Sequence, residues 1–68
     1  MNDASAHAID LVGILLENGT FPILRMPDGG EWRLEIRRRY RHLLGMRVKV
    51  TGTRNGFDIL AVDRIERA

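Results

Sequence analysis

The chain has 68 residues, no cysteine, 44% hydrophobic side chains and a net charge of +2. That is one domain near the smallest size that folds on an aliphatic core alone, with neither disulfides nor a thiolate metal cluster to help. Such a chain can line a groove but not enclose a deep catalytic pocket, and no apolar run reaches the roughly 18 residues of a membrane span.

Residues 1–8 read as a flexible polar tail, and residues 9–68 as a single domain. The opening MNDASAHAID has no basic stretch ahead of a hydrophobic one, so no secretory leader is expected and a cytoplasmic location is. The segment AIDLVGILLE follows, long and apolar, with Gly13 in its middle, where a strand bulges or coils. Asn18-Gly19 then marks a tight turn. FPILRM is a short strand whose Pro22 suits a strand start or an edge.

Asp28-Gly29-Gly30 marks the next turn. EWRLEIR after it alternates, with Trp32, Leu34 and Ile36 on one face and Glu31, Arg33 and Glu35 on the other. In IRRRYRHLLG, Tyr40, Leu43 and Leu44 form a narrow apolar stripe at helical spacing, and Gly45 stands where a left-handed cap ends a helix. A short helix between strands three and four is therefore predicted. MRVKVTG alternates again, with Met46, Val48 and Val50 opposing Arg47, Lys49 and Thr51. Asn55-Gly56 turns the chain into FDILAVDRI, which is apolar on both faces and so predicted to be covered on both or to pair centrally.

The predicted class is mainly β: five strands in an OB-like Greek-key barrel, with one short helix between strands 3 and 4. Gly13 in the first strand, the DGGEW hairpin and the stretch LLGMRVKVTGTRNGFDILAVDRI carry a resemblance to a family of small, functionally uncharacterised bacterial OB-like proteins. The chain also resembles, distantly, the smallest bacterial translation initiation factor, a free-standing OB domain. OB domains bind single-stranded nucleic acid, oligosaccharides or proteins, so the resemblance implies a binding module without selecting its ligand.

In such a fold the ligand surface is the outer face of strands two and three with the loops joining strands one to two and four to five. With Asp28-Gly29-Gly30 as the hairpin loop, Met26 is expected to oppose Trp32, and Leu24 to oppose Leu34, all facing inward. Arg25 and Arg33 then stand close together on the outer face beside Phe21, Ile23 and Glu35. Two readings remain open there. The arginines hold an anion while Phe21 offers a base-stacking platform, or Glu31 and Glu35 neutralise them as an ordinary solvated face. An Arg54-Asn55-Gly56 loop would pair Val50 with Leu60 and Val48 with Val62. It would place Arg54 and Phe57 at the loop tip, with Phe57 as a groove residue or, preferably, a core plug.

Charge is uneven along the chain. Residues 1–36 hold six acidic and two basic side chains, and residues 37–68 nine basic and three acidic. The basic half attracts phosphate or matches the acidic half of its own chain. The run Arg37–Arg41 is assigned to water at the closed end of the barrel, away from the groove, with Tyr40, Leu43 and Leu44 as the plug.

Catalysis has little support. His7 and His42 lack partners at ligand spacing, so no metal is expected. Ser5 lies in the tail with no base beside it, and no carboxylate pair stands ready for acid–base work. The reading is a non-enzymatic module without a cofactor, binding single-stranded RNA or DNA through Phe21, Arg25, Arg33, Arg47, Lys49, Arg54 and Phe57. A protein-interaction or self-association module is the first alternative, and a small-molecule or oligosaccharide binder the second.

Overall fold

The structure, a computed structural model, describes residues 8–68. The expected tail Met1–His7 lies outside the described residues, and the first strand already begins at Ala8. Five strands make up most of the fold: β1 (Ala8–Asn18), β2 (Phe21–Arg25), β3 (Glu31–Glu35), β4 (Arg47–Arg54) and β5 (Ile59–Arg67). Their hydrogen-bonded order is β1-β2-β3-β5-β4, and β4 returns to β1, so the sheet closes on itself as a barrel. All pairings are antiparallel except β3 with β5, which is the parallel seam that completes the closure. No helix of the described residues is long and apolar enough to cross a membrane.

β1 does the work of two strands. Ala8 to Ile14 pair with β4, and Ile14 to Asn18 pair with β2. The changeover falls beside Gly13, where a Cβ would overlap the backbone carbonyl of Arg25. Only a glycine allows β2 to approach that closely, which is why the long apolar segment carries one in its middle.

Alternation sends one residue in two inward, and the inward set fills the core. Leu15, Leu24, Leu34, Val48, Val50 and Leu60 are fully buried, with Trp32, Ile36, Val62 and Ile65 packed around them. The inward faces expected of Trp32, Leu34 and Ile36, and of Val48 and Val50, are those observed, but Met46, expected beside them, lies ahead of β4 and is 40% exposed.

The register of the β2–β3 hairpin differs from expectation. Leu24 opposes Trp32, not Leu34, and Arg25 opposes Glu31. The Gly29 N–H donates to the Met26 carbonyl (2.9 Å) and the Met26 N–H to the Gly30 carbonyl (2.7 Å), so the three-residue tip is Pro27-Asp28-Gly29. Pro27 supplies the fixed φ of the second turn position, and Gly29 takes the left-handed conformation, at φ 95°. Asp28 Oδ1 accepts from the Gly30 N–H at 2.9 Å and closes the turn. Moving the tip by one residue moves the pairing by two, so every side chain keeps its expected face while changing its partner.

The β4–β5 hairpin departs further. Asn55 N–H donates to the Ile59 carbonyl at 2.8 Å, leaving Gly56-Phe57-Asp58 as the tip. Leu60 therefore opposes Arg54 and Val62 opposes Gly52, in place of Val50 and Val48. A register shift at Thr51/Gly52 follows, and beyond it Val50 opposes Ile65.

The predicted helix is a single 3₁₀ turn at Arg41–Leu43. Its Tyr40 N-cap position offers no side-chain cap, and like charges at Arg37 and Arg41 oppose an α-helix at i, i+4 spacing. The connector is instead pinned to β1: Gly45 N–H donates to the Leu15 carbonyl (2.7 Å) and Leu15 N–H to the Met46 carbonyl (3.0 Å). The plug survives the change of conformation. Leu43 enters the core, and Tyr40 and Leu44 pack against it.

Candidate binding face

The outward residues of β1 are Asp10, Val12, Ile14 and Leu16, because Leu11, Gly13 and Leu15 face in. Cross-strand register then sets what stands beside them. Ile14 is flanked by Arg47 on β4 and Arg25 on β2, and Arg25 by Glu31 on β3. At about 4.8 Å between strands, the Arg47 and Arg25 backbones lie about 10 Å apart with Ile14 between them. One step along, Leu16 pairs with Ile23, and Ile23 with Arg33. On the other side Val12 pairs with Lys49.

These residues lie on the outside of the barrel. An apolar stripe of Val12, Ile14, Leu16 and Ile23 has Arg25 and Arg33 beside it on the β1–β2–β3 side and Arg47 and Lys49 on the β1–β4 side, which the closed sheet turns in a different direction. Ile23 is only 5% exposed although it points outward, so its neighbours fold over it. Ile14 remains 36% exposed. Phe21 closes the upper end of the stripe, opposite Asn18 and 44% exposed.

The lower end is bounded by the β4–β5 loop, which side chains tie to the sheet. Arg33 Nη2 meets Asp58 Oδ1 at 3.4 Å, and Asn55 Nδ2 donates to Glu35 Oε1 at 3.1 Å. Arg54 donates from Nε to the Gly56 carbonyl (3.1 Å) and from Nη2 to the Phe57 carbonyl (2.7 Å). Its guanidinium also lies over the Trp32 ring, 5.6 Å from the centroid. Phe57, at the tip of this tethered loop, is 86% exposed. It is therefore not the core plug that a lone aromatic beside a turn suggested.

The expected site residues thus fall in different places. Phe21, Arg25 and Arg33 stand on the outside of β2 and β3, and Arg47 and Lys49 on the outside of β4, across β1 from them. Phe57 stands at the lower end of the stripe. Arg54 is occupied in holding the loop and Trp32.

Two of the face arginines have acidic partners: Arg25 with Glu31 at 2.7 Å, and Arg33 with Asp58. The expected partnership of Glu35 with an arginine is replaced by Asp58, which the loop brings in from a distant part of the chain. Arg47 and Lys49 have no ion pair among the described residues. The idea that the basic half neutralises the acidic half finds one instance there, Arg41 with Glu17 at 3.5 Å.

Val12, Ile14 and Leu16 are surface residues that the sequence pattern did not single out. The signal was present, since the stretch from Leu11 to Leu16 carries no polar side chain on either face. Its surface position follows from the fold, in which no helix or second sheet among the described residues covers β1.

A family model described as a protein of unknown function (DUF5818) matches residues 12–68. No curated protein and no solved structure matches the chain.

Proposed function

Because the chain belongs to this family of proteins of unknown function, we propose its role from its own surface: a non-enzymatic, OB-like Greek-key module that holds single-stranded nucleic acid. The strand wraps around the outside of the barrel, from β4 across β1 to β2 and β3. Arg47 and Lys49 take phosphates, Arg25 and Arg33 add charge at the opposite border, and Phe21 and Phe57 stack bases at the two ends. Base–aromatic stacking contributes about 1–3 kcal/mol per base and tolerates any sequence. Contacts made to phosphate hold the strand without reading it.

One observation carries this reading. An apolar stripe with an exposed aromatic at its end is bordered by cations, two of which make no ion pair among the described residues, with Glu66 across from Lys49. Stacking surface beside unspent positive charge suits a polyanion of flat rings better than it suits either a neutral sugar or an acidic peptide.

The experiment is a titration of a labelled oligonucleotide against the protein at two salt concentrations. With three or four phosphates bound, each contributing about 0.7 to the logarithmic slope, affinity falls roughly 20- to 50-fold between about 50 and about 200 mM salt. Arg47→Gln with Lys49→Gln flattens that slope by about 0.7 for each phosphate no longer neutralised. Absence of binding at low salt ends the proposal.

A second reading has its own support. The exposed part of the stripe around Ile14 and Phe21 would also dock an apolar surface of a protein partner or of a second copy. That association would be insensitive to salt, so the same titration, run alongside sedimentation of the protein alone, separates the two.

A further inference from the structure

The charge pattern assigns the connector between β3 and β4 to water, at the far end from any groove. Its position in the fold is different. A shallow groove is lined by Thr20 and Phe21 of the β1–β2 turn, Glu35 and Ile36 at the end of β3, and Arg37 and Tyr40 of the connector. Phe21 therefore borders two surfaces at once: the upper end of the proposed binding face and this groove. Past the groove lie Arg38 and Arg39, both exposed.

The charges in this region are unequally spent. Arg41 is paired with Glu17, and Glu35 accepts from Asn55, which turns its carboxylate toward the β4–β5 loop. Arg37, Arg38 and Arg39 have no ion pair and no side-chain hydrogen bond among the described residues. Three neighbouring guanidinium groups held on one connector repel one another, and a polyanion relieves that repulsion. The connector is anchored on both sides of these arginines, because Ile36 and Tyr40 pack against the core and Gly45 and Met46 are bonded to Leu15.

We infer that a bound single strand does not end at Phe21. It turns over the Phe21 ring into the groove, and its next phosphates rest on Arg37, Arg38 and Arg39. This extends the proposed nucleic-acid binding and depends on it. The binding face then holds a short core of the ligand through both stacking and charge. The connector adds a purely electrostatic extension that only a longer strand reaches.

Two labelled oligothymidylates test this, one of about five and one of about twelve nucleotides, spanning the range of about 4–16 that one such barrel covers. Length alone raises affinity through the number of available positions, but it does not change the salt slope. The longer strand should show a slope steeper by about 1.4–2.1, two or three additional phosphates at roughly 0.7 each. In the triple variant Arg37→Gln, Arg38→Gln, Arg39→Gln the difference between the two lengths should vanish, while the slope of the short strand stays unchanged. Arg41 is left in place to preserve its bond to Glu17, and Trp32 emission together with the urea midpoint verifies that the variant is folded.

Equal slopes for the two lengths in the unaltered protein would overturn the inference while leaving the binding face intact. So would a triple variant that flattens both slopes alike, since that would make the connector part of the primary site. If neither length binds at low salt, the proposed function falls, and the extension with it.

Discussion

The two ends of the barrel use arginine for opposite purposes. At the lower end, around the β2–β3 hairpin and the β4–β5 loop, each arginine is committed within the protein: Arg25 to Glu31, Arg33 to Asp58, and Arg54 to two loop carbonyls and the Trp32 ring. At the upper end, Arg37, Arg38 and Arg39 stand on a pinned connector with no acidic partner among the described residues. The same side chain is a staple in one place and available charge in the other. What separates the cases is neighbouring chain. The lower loops bring carboxylates and free carbonyls within reach of the guanidinium groups, whereas beside the upper groove Glu17 goes to Arg41 and Glu35 to Asn55.

The comparison breaks most completely in Leu34→Ala. Leu34 is fully buried and packs in the core that both ends share. A loss of about 2–5 kcal/mol is expected for such a truncation, close to the whole stability of a domain this small. Urea unfolding followed by Trp32 emission should show a protein largely unfolded before denaturant is added. A folded variant with a normal midpoint would mean that the core is not a single unit.

Gly13→Val is next. Its Cβ meets the Arg25 carbonyl, so β1 and β2 must part where Arg25 and Ile14 stand together. A cost of about 1–3 kcal/mol is expected, with faster amide exchange in β2 than in β4. Equal exchange in the two strands would count against the double role of β1.

Arg54→Met sharpens the contrast at the lower end alone. It removes the cation over Trp32 and frees the Phe57 loop, at a cost of about 1 kcal/mol. Trp32 emission should shift, and protease should cut the Asn55–Asp58 loop sooner. Smallest in stability are the paired controls. Arg25→Gln loses an exposed bridge, which contributes about 0–1 kcal/mol. Arg38→Gln should leave the unfolding midpoint where it was, because its guanidinium bonds to no other side chain among the described residues. A destabilised Arg38→Gln protein would show that the upper arginines are staples too.

Much of this architecture is legible in the sequence itself. EWRLEIR and MRVKVTG announce half-buried strands, because consecutive side chains of a strand leave on opposite faces. The turn pairs mark where the strands end. Trp32, Leu34, Ile36, Val48 and Val50 face inward as those patterns indicate, whereas Met46 is exposed, and both hairpins are registered differently from expectation. The offset in the β2–β3 hairpin is an even number of residues, which preserves the face of every side chain.

The proposed binding face is less legible. Arg25 and Phe21 follow from the alternation of β2, but the presence of Arg47 beside Ile14 depends on β1 serving two partners. Asp58 reaches Arg33 only because β3 and β5 run parallel at the seam. The connector shows the limit from the other side: its apolar stripe correctly marked Leu43 for the core, yet pinning by Leu15 made it a 3₁₀ turn and drew Arg37 up to Phe21.

Local chemistry alone therefore determined the strands, the turns, and which side chains avoid water, since each depends on residues a few positions apart. Which charges meet, which remain unspent, and which surfaces adjoin were decided by closure of the sheet. Closure joins segments distant along the chain, and an ion pair needs its partners within a few ångströms in space.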